Sequence, residues 1–492
     1  MWRVFASAHT GHLGPLLAAL LLLPVHASFA QSPDLAAKGE AAKQAMAAGR
    51  YEEAAATYAE LARSLPGEAG ILLNLGMAQS MAGRPRDAIP PLERAVTLQP
   101  SLHPAWLFLG TAYLDVGDAA RALTPLAKAV ETDSRSVKAR QMLANAYLSL
   151  ERFGEAGKVL EELIRLEPSD AAAWYALGQS HAARSRLAFE QLRKTAPQSP
   201  YESLLVADVL ATQEDYAQAV ELCEAVLEKV PGLRAAHETI VEVYEQAGNA
   251  SGADAVRERL AALPPRDCAR DKAGCEFRAG RYQEAAAAAT RKDPASLYWR
   301  ARAHNELALD AFSRLEQLPP SPESHVFKAE LYRSQGRHLD SVGELEKAAK
   351  LAPGDRRIQR DLATSLYLSR NYDATAPLLE SLLKDEPGSA DLSFMYGDTL
   401  LQAQKLEKAI PLLETAVSRD PAMIDARVSL ARAYLQAGRS ADAIPHLKAA
   451  LATDEDGSLH YQLARAYQAT GQIELAKQML ATYQEMEAKI KK

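Results

Sequence analysis

Apolar residues recur along most of the chain at intervals of three and four, the spacing that gives an α-helix one apolar face. The segment from Trp106 to Tyr113 alternates large and small residues in this way, and the pattern resumes at Ala122. A 34-residue interval separates many glycines and prolines: Gly49, Gly83 and Gly117; Pro66 and Pro100; Pro353, Pro387 and Pro421. The pattern therefore predicts repeated pairs of short helices that are separated by tight turns.

One repeat shows its family most clearly. Trp106, Leu109, Gly110, Tyr113 and Ala122 follow the order Trp-x2-Leu-Gly-x2-Tyr and then Ala, and the sequence resembles the tetratricopeptide repeat family. The resemblance covers most of residues 35–492. It implies an all-α fold, a right-handed α-solenoid of antiparallel helix-turn-helix hairpins in which stacking buries one continuous core.

The 492 residues exceed what one ordinary globular core accommodates, whereas a repeat array has no such limit. We divide the chain into a signal peptide (1–30), an N-terminal repeat array (31–178), an irregular region with long helices (179–321) and a C-terminal array with a capping helix (322–492).

The irregular region contains two segments that lack the usual turn. No Gly or Pro follows Gly178 until Pro197, and none occurs from Ser296 to Leu318. We expect each segment to form one long helix. Two interpretations remain: degenerate repeats that lost a turn, or devices that redirect the array and divide it into three arms. Under both, we expect His181 and His304 to be packed helix residues and not metal ligands.

The first 30 residues are typical of a secretory signal. Arg3 precedes an apolar run from Gly14 to Val25, which is shorter than a membrane span, and small residues precede a cleavage site that we place after Ala30. We therefore expect a periplasmic or secreted protein with no membrane span in the mature chain.

Three cysteines are present, and an oxidising compartment permits one disulfide between them. Cys223 falls on an inward helix position. Cys268 and Cys275 are seven residues apart, too far to bond on a single helix. A disulfide between them requires Cys268 to lie in the loop after Pro265 and to fold back on the helix of Cys275.

Neither composition nor motifs indicate catalysis. The chain has no phosphate-binding glycine loop and no GxSxG nucleophile motif. Its formal net charge of -7 disfavours a nucleic-acid partner. We predict no enzymatic activity, no cofactor and no metal.

Function then depends on the surface that stacking creates. In the family that the chain resembles, the first helices of successive repeats line a groove that holds peptides or partner helices. In the C-terminal array we expect six residues to face this groove: Arg360, Phe394, Asp398, Arg432, Tyr461 and Arg465. Arginines beside aromatic rings suit an acidic or aromatic partner segment. The alternative is an ordinary solvated face with internal salt bridges, such as Asp398 with Arg432.

The N-terminal groove is more apolar. Leu73, Met77, Leu107 and Tyr175 fall on its expected face. This groove suits a hydrophobic partner segment, or it packs against a neighbouring turn of the chain itself.

The sequence thus predicts a protein–protein interaction scaffold or adaptor in the cell envelope or outside the cell. An alternative is a periplasmic accessory scaffold for polysaccharide export or outer-membrane assembly, where similar arrays occur. An accessory subunit of an enzyme complex is a third, less favoured interpretation.

Overall fold

The computed structural model describes residues 33–490, and the chain divides into an N-terminal unit that ends at Pro319 and a C-terminal unit that starts at Pro320. The predicted signal peptide lies outside the described residues. Between residues 33 and 490 the ordered elements are helical, without a strand. In that range no helix combines the length and apolar character needed to cross a membrane.

The N-terminal unit contains sixteen described helices. They are α1 (Pro33–Ala47), α2 (Tyr51–Ser64), α3 (Ala69–Met81), α4 (Pro85–Leu98), α5 (His103–Asp115), α6 (Ala119–Thr132), α7 (Val137–Ser149), α8 (Phe153–Leu166), α9 (Ala171–Thr195), α10 (Pro200–Thr212), α11 (Tyr216–Lys229), α12 (Arg234–Gln246), α13 (Ala250–Ala261), α14 (Lys272–Arg278), α15 (Tyr282–Ala288) and α16 (Pro294–Gln317).

The C-terminal unit contains ten described helices and a 3₁₀ turn at Leu451–Thr453. The helices are α17 (Pro322–Ser334), α18 (His338–Leu351), α19 (Arg356–Leu368), α20 (Tyr372–Asp385), α21 (Ala390–Gln402), α22 (Leu406–Arg419), α23 (Ile424–Gln436), α24 (Ser440–Ala450), α25 (Ser458–Ala469) and α26 (Ile473–Ile490).

Within each unit the helices form stacked antiparallel pairs, as the repeat pattern predicts. Close approach inside a pair depends on the small residue of the first helix. Gly110 of α5 lies directly against the Leu126 side chain of α6, and Gly397 of α21 lies against Leu413 of α22 in the same way. A β-carbon at Gly397 would come within 2.7 Å of Leu413 Cγ. The leucine therefore occupies the space that the glycine leaves free.

The two segments without turns form single helices of 25 and 24 residues, α9 and α16, which confirms the prediction of long helices. They pack against each other in antiparallel orientation, because Tyr175 contacts Phe312 while Ser185 Oγ donates to the Ala301 carbonyl at 2.8 Å. Both helices belong to the N-terminal unit. Helices α10 to α15 lie between them in the chain, and the interpretation that these segments divide the array into three arms stays a prediction.

Of the two domain boundaries expected within the repeats, one falls inside a helix and the other falls close to the division between the two units. The boundary at 178–179 lies inside α9, because this helix starts at Ala171 and continues the register of the preceding repeats. The boundary at 321–322 lies two residues after the division between the two units.

Candidate functional site

Six residues on the first helices of the C-terminal repeats form the surface that we call the arginine face. Arg360 is on α19, Phe394 and Asp398 are on α21, Arg432 is on α23, and Tyr461 and Arg465 are on α25. The amphipathic pattern of each repeat directs its other face towards the core, which leaves these positions on the side lined by first helices.

Asp398 is the buried centre of this face. Its side chain is only 7% exposed and accepts hydrogen bonds from three groups: Arg432 Nη2 at 2.9 Å, Ser429 Oγ at 2.7 Å and the Tyr367 hydroxyl at 3.0 Å. Burial, together with this carboxylate, raises the pKa of Tyr367. Asp398 is therefore enclosed by its own neighbours, and it orients Arg432 without being available to a partner.

Arg432 combines fixed geometry with exposure. One guanidinium nitrogen is bound to Asp398, yet 42% of the side chain remains accessible. A guanidinium carries five N–H donors. The Nε–H of Arg432 is buried without a partner among the described residues, so only the terminal N–H groups that are not used internally can bind an acceptor on another molecule. The internal salt bridge that the sequence suggested therefore exists and still leaves Arg432 partly available.

The other members of the arginine face differ in how far their side chains are engaged by neighbouring residues of the same chain. Arg360 forms an ion pair with Glu386 at 2.6 Å, and Phe394 packs its ring 6.1 Å from that of Tyr367. Both are partly buried. Tyr367 thus links Phe394 to Asp398, and Asp398 in turn binds Arg432, whereas Arg360 is held at its own helix pair.

Tyr461 and Arg465 provide the exposed part of the face on α25. Tyr461 is 43% exposed, and its ring packs at a tilted angle against that of Tyr483 of α26, with the ring centres 5.4 Å apart. Arg465 is exposed and forms no ion pair with any residue between 33 and 490. These two residues are the freest of the six to contact another molecule.

A second group of charged side chains lies in the N-terminal unit, and sequence reasoning missed it. Asp208, Glu242 and Arg302 occupy the ninth positions of α10, α12 and α16. Arg302 pairs with Asp208 at 3.3 Å and with Glu242 at 2.6 Å, which joins three helices through one guanidinium. Burial raises the pKa of Asp208 to about 6, although Arg302 opposes this shift.

The pairing continues beyond Glu242. Arg278 of α14 bonds to both Glu242 and Glu238, and Arg266 bonds to Glu238 at 2.5 Å and to Asp271. We call this alternating series the charged network: Asp208, Arg302, Glu242, Arg278, Glu238, Arg266 and Asp271.

Aromatic rings pack against the arginines of this network. The Arg266 guanidinium lies 5.0 Å from the Trp299 ring centre, and that of Arg302 lies 4.8 Å from the ring centre of Phe277. Cation–π contacts of partly desolvated arginines add to their ion pairs. The network therefore links α10, α12, α14 and α16 with the loop that precedes α14.

A sequence signal for these pairs was available. Asp398 and Arg432 occupy the ninth positions of α21 and α23, the same register as Asp208, Glu242 and Arg302. Opposite charges at the ninth positions of neighbouring first helices thus indicate an ion pair. Comparing that single register across all repeats would have identified both groups.

The remaining residues singled out from the sequence have structural positions. His181 and His304 are buried and stack on each other, as expected for packed helix residues. Cys268 lies in the loop before α14 and is joined by a disulfide to Cys275 of α14, while Cys223 is buried. Across residues 33–490 there is no group of three or more His, Cys, Asp or Glu side chains placed to hold a metal ion.

The apolar N-terminal face is not open. Leu73, Met77 and Leu107 are between 0% and 3% exposed, and Tyr175 is partly buried. These side chains belong to the buried interior of the N-terminal unit, so they do not form an accessible groove.

Successive antiparallel helix pairs, several of them with a glycine of the first helix packed against a leucine of the second, define a helical-repeat protein. Tetratricopeptide repeat models match at residues 113–180, 400–460 and 435–489 in one case, and at residues 40–103, 82–137, 182–234 and 360–424 in another. The chain belongs to the tetratricopeptide repeat family.

Individual relatives cover the chain unevenly. A curated relative, the Hsp70-Hsp90 organizing protein of Triticum aestivum, is 33% identical over 110 residues, which are 22% of this chain and 18% of that protein. The solved structure of MamA MSR-1 C2 is 25% identical over 34% of this chain and 97% of its own, with a TM-score of 0.31. A tetratricopeptide repeat protein from Parabacteroides merdae ATCC 43184 is 11% identical over 68% of this chain and 98% of its own, also with a TM-score of 0.31.

Proposed function

We propose that this protein is a scaffold that binds a partner protein through the arginine face of its C-terminal unit, in the cell envelope or outside the cell. The observation that carries the proposal is the state of Arg432: its guanidinium is held by the buried Asp398, while 42% of the side chain as a whole is exposed. An arginine fixed in this way loses less conformational freedom on binding than a mobile side chain does.

The chemistry of the face favours an acidic or aromatic partner segment. Arg432 and the unpaired Arg465 offer donors to carboxylates, and the exposed Tyr461 offers a ring for stacking. Membership in the tetratricopeptide repeat family supports binding over catalysis. The resemblance of one segment to an Hsp70-Hsp90 organizing protein also supports a role in which a repeat array holds another protein.

The proposed location depends on the first 30 residues. Their charged start, apolar run and small residues up to Ala30 support export and cleavage after that alanine. An accessory role in polysaccharide export or outer-membrane assembly would place the same binding face in the periplasm. Amino-terminal sequencing of the protein recovered from cells tests the cleavage directly, and an intact Met1 in the mature protein would exclude it.

A charge-reversal experiment tests the binding face. Partners are first identified by crosslinking in cells, and the affinity of the purified partner is then measured for Arg432→Glu/Arg465→Glu. We expect weaker binding with unchanged helicity in circular dichroism. Lys408→Glu/Lys448→Glu is the matched control, because it makes the same change in charge at exposed positions of second helices. Equal affinities for the two double variants would exclude the arginine face as the binding surface.

A further inference from the structure

Residues 262–271 connect α13 to α14, and we call this segment the latch loop. One of its arginines belongs to the charged network. Arg266 has a side chain only 13% exposed, although its neighbours Pro265 and Asp267 are exposed. Its guanidinium bonds to the buried Glu238 and covers the face of Trp299, which is 2% exposed. The latch loop thus supplies part of the cover over the Trp299 side chain.

A glycine in α14 leaves the space that the Arg266 side chain occupies. Gly274 of α14 lies directly against the Arg266 guanidinium and the Asp271 carboxylate, so any side chain at residue 274 would displace them. Asp271 also accepts a hydrogen bond from the Gly274 backbone N–H at 3.0 Å. The first turn of α14 and the latch loop are therefore fitted to each other around Arg266.

The Cys268–Cys275 disulfide holds this arrangement. It joins the residue two positions after Arg266 to the middle of α14, with the two α-carbons 5.7 Å apart. At the other end of the loop, Arg234 of α12 donates to the Pro264 carbonyl at 2.9 Å. Between these two attachments the loop is exposed at most positions. Cys268 itself is exposed, so a reductant can reach its sulfur.

We propose that the Cys268–Cys275 disulfide is a redox-responsive latch that keeps Arg266 on Trp299 and Glu238, and that reduction releases the latch loop. The inference does not depend on the proposed partner binding. Exposed disulfides are the ones most readily exchanged with external thiols.

The exchange step balances with a small dithiol as the reductant. One reductant thiolate attacks the Cys268 sulfur, the bond between the two sulfurs breaks, and Cys275 leaves as a thiolate that takes up a proton. The second reductant thiol then displaces Cys268, which is also protonated, and the reductant closes to its own disulfide. Two electrons and two protons pass to the protein.

Tryptophan fluorescence of the purified mature chain tests the latch. Reduction with dithiothreitol should shift the Trp299 emission to longer wavelength and make it more accessible to acrylamide, because the Arg266 cover is lost. Trp299→Phe should abolish this reduction-dependent change, which assigns it to Trp299 and not to Trp106 or Trp174. Cys268→Ser/Cys275→Ser should resemble the reduced wild type.

Arg266→Gln separates the proposed latch from a simple crosslink. With its disulfide intact, this variant should already show the red-shifted emission, and reduction should add nothing. Arg270→Gln is the matched control in the same loop, since the Arg270 side chain is 91% exposed, and it should respond to reduction as the wild type does. The latch is excluded if Trp299 emission is the same before and after reduction. A full response to reduction in Arg266→Gln would equally exclude it, because the disulfide would then act without Arg266.

Discussion

His181 and His304, 123 positions apart in the sequence, stack their imidazole rings where α9 packs against α16, with their Nδ1 atoms 3.2 Å apart. One Nδ1 donates to the other in this contact, which requires that at least one ring is neutral. Burial lowers the pKa of His181 to about 4 and that of His304 to about 2, and the nearby Arg184 lowers both further. Arg300 also acts on His304.

This pair should make the N-terminal unit sensitive to acid. Both folded-state pKa values lie below the unfolded value near 6.5, so the unfolded chain binds protons first as the pH falls. Stability is therefore complete above pH 6.5 and declines towards pH 4. By pH 4 we expect a loss on the order of 3 kcal/mol for each histidine, about 6 kcal/mol for the pair, in the free energy of unfolding.

Urea unfolding of the full chain at several pH values measures this loss through tryptophan fluorescence, since all four tryptophans precede residue 320. His304→Gln should reduce the decline between pH 6.5 and 4.5, because one of the two buried groups no longer titrates. His338→Gln, which alters a histidine of the C-terminal unit, is the control and should leave it unchanged. An identical pH dependence in wild type and His304→Gln would contradict the prediction.

Gly178 and Phe312 set how closely α9 and α16 approach. A β-carbon at residue 178 would lie 2.5 Å from a Phe312 ring atom, so Gly178→Ala should push the helices apart and destabilise the N-terminal unit by about 1–3 kcal/mol. Phe312→Leu in the same chain should recover part of the loss by vacating that space.

Urea unfolding followed by tryptophan fluorescence provides the measurement for Gly178→Ala. Gly154→Ala is the matched control, because no atom lies within 4 Å of a β-carbon built on Gly154 of α8. That change should be neutral or slightly stabilising. If Gly178→Ala were as harmless as Gly154→Ala, the close contact with Phe312 would not limit the helix approach.

Local pattern was sufficient to predict the helix pairs, because each hairpin is specified by apolar spacing and turn residues within about 34 positions. The long helices were predictable for the same reason, since an absence of Gly and Pro is also a local signal. The contact between His181 and His304 was not predictable, because it depends on how six intervening helices bring the two segments together.

The contacts within the arginine face were likewise not predictable from the sequence pattern. Register alone placed Asp398 and Arg432 on the first helices, yet it did not show that Ser429 and Tyr367 also bond to Asp398 and enclose it. Whether a polar side chain on a known face is exposed or buried depends on the lengths and conformations of its neighbours. The sequence pattern does not contain this information.

Glu151 occupies a turn position that glycine fills in the preceding repeats. Its φ is +54°, and Gly83 and Gly117, 68 and 34 residues earlier, have φ of +75° and +82°. A left-handed conformation costs a residue with a β-carbon about 1–2 kcal/mol. Glycine avoids this cost but loses more backbone entropy on folding, which offsets part of the gain. Glu151→Gly should therefore stabilise the N-terminal unit by about 0.5–1 kcal/mol.

The reciprocal change provides the control for this turn. Gly117→Ala should lower stability by about 1 kcal/mol, because alanine must adopt the same left-handed conformation. Nothing lies within 4 Å of a β-carbon at residue 117, so the effect is conformational and not steric. Urea midpoints from tryptophan fluorescence should move in opposite directions for the two variants. A shift in the same direction would exclude backbone conformation as the cause.

Asp398→Asn tests whether the buried carboxylate stabilises the C-terminal unit as well as orienting Arg432. The substitution keeps the shape of the side chain but removes the negative charge of the carboxylate, which accepts hydrogen bonds from Arg432, Ser429 and Tyr367. Hydrogen bonds to a charged group contribute about 1.5–3 kcal/mol, so we expect a loss of that order in local stability. Hydrogen exchange of peptides from α21 and α23 should become faster, whereas exchange in α17 should not change.

Glu346→Gln is the matched control for Asp398→Asn, because it removes one carboxylate charge from an exposed position of α18 in the same unit. A general effect of net charge would accelerate exchange equally in both variants. The enclosure of Asp398 predicts instead that only Asp398→Asn acts, and that its effect is confined to the helices joined by this carboxylate. Unchanged exchange in α21 and α23 would contradict this prediction. It would mean that Arg432 and Tyr367 find equivalent partners without the charge, so that the salt bridge contributes little to the stability of the fold.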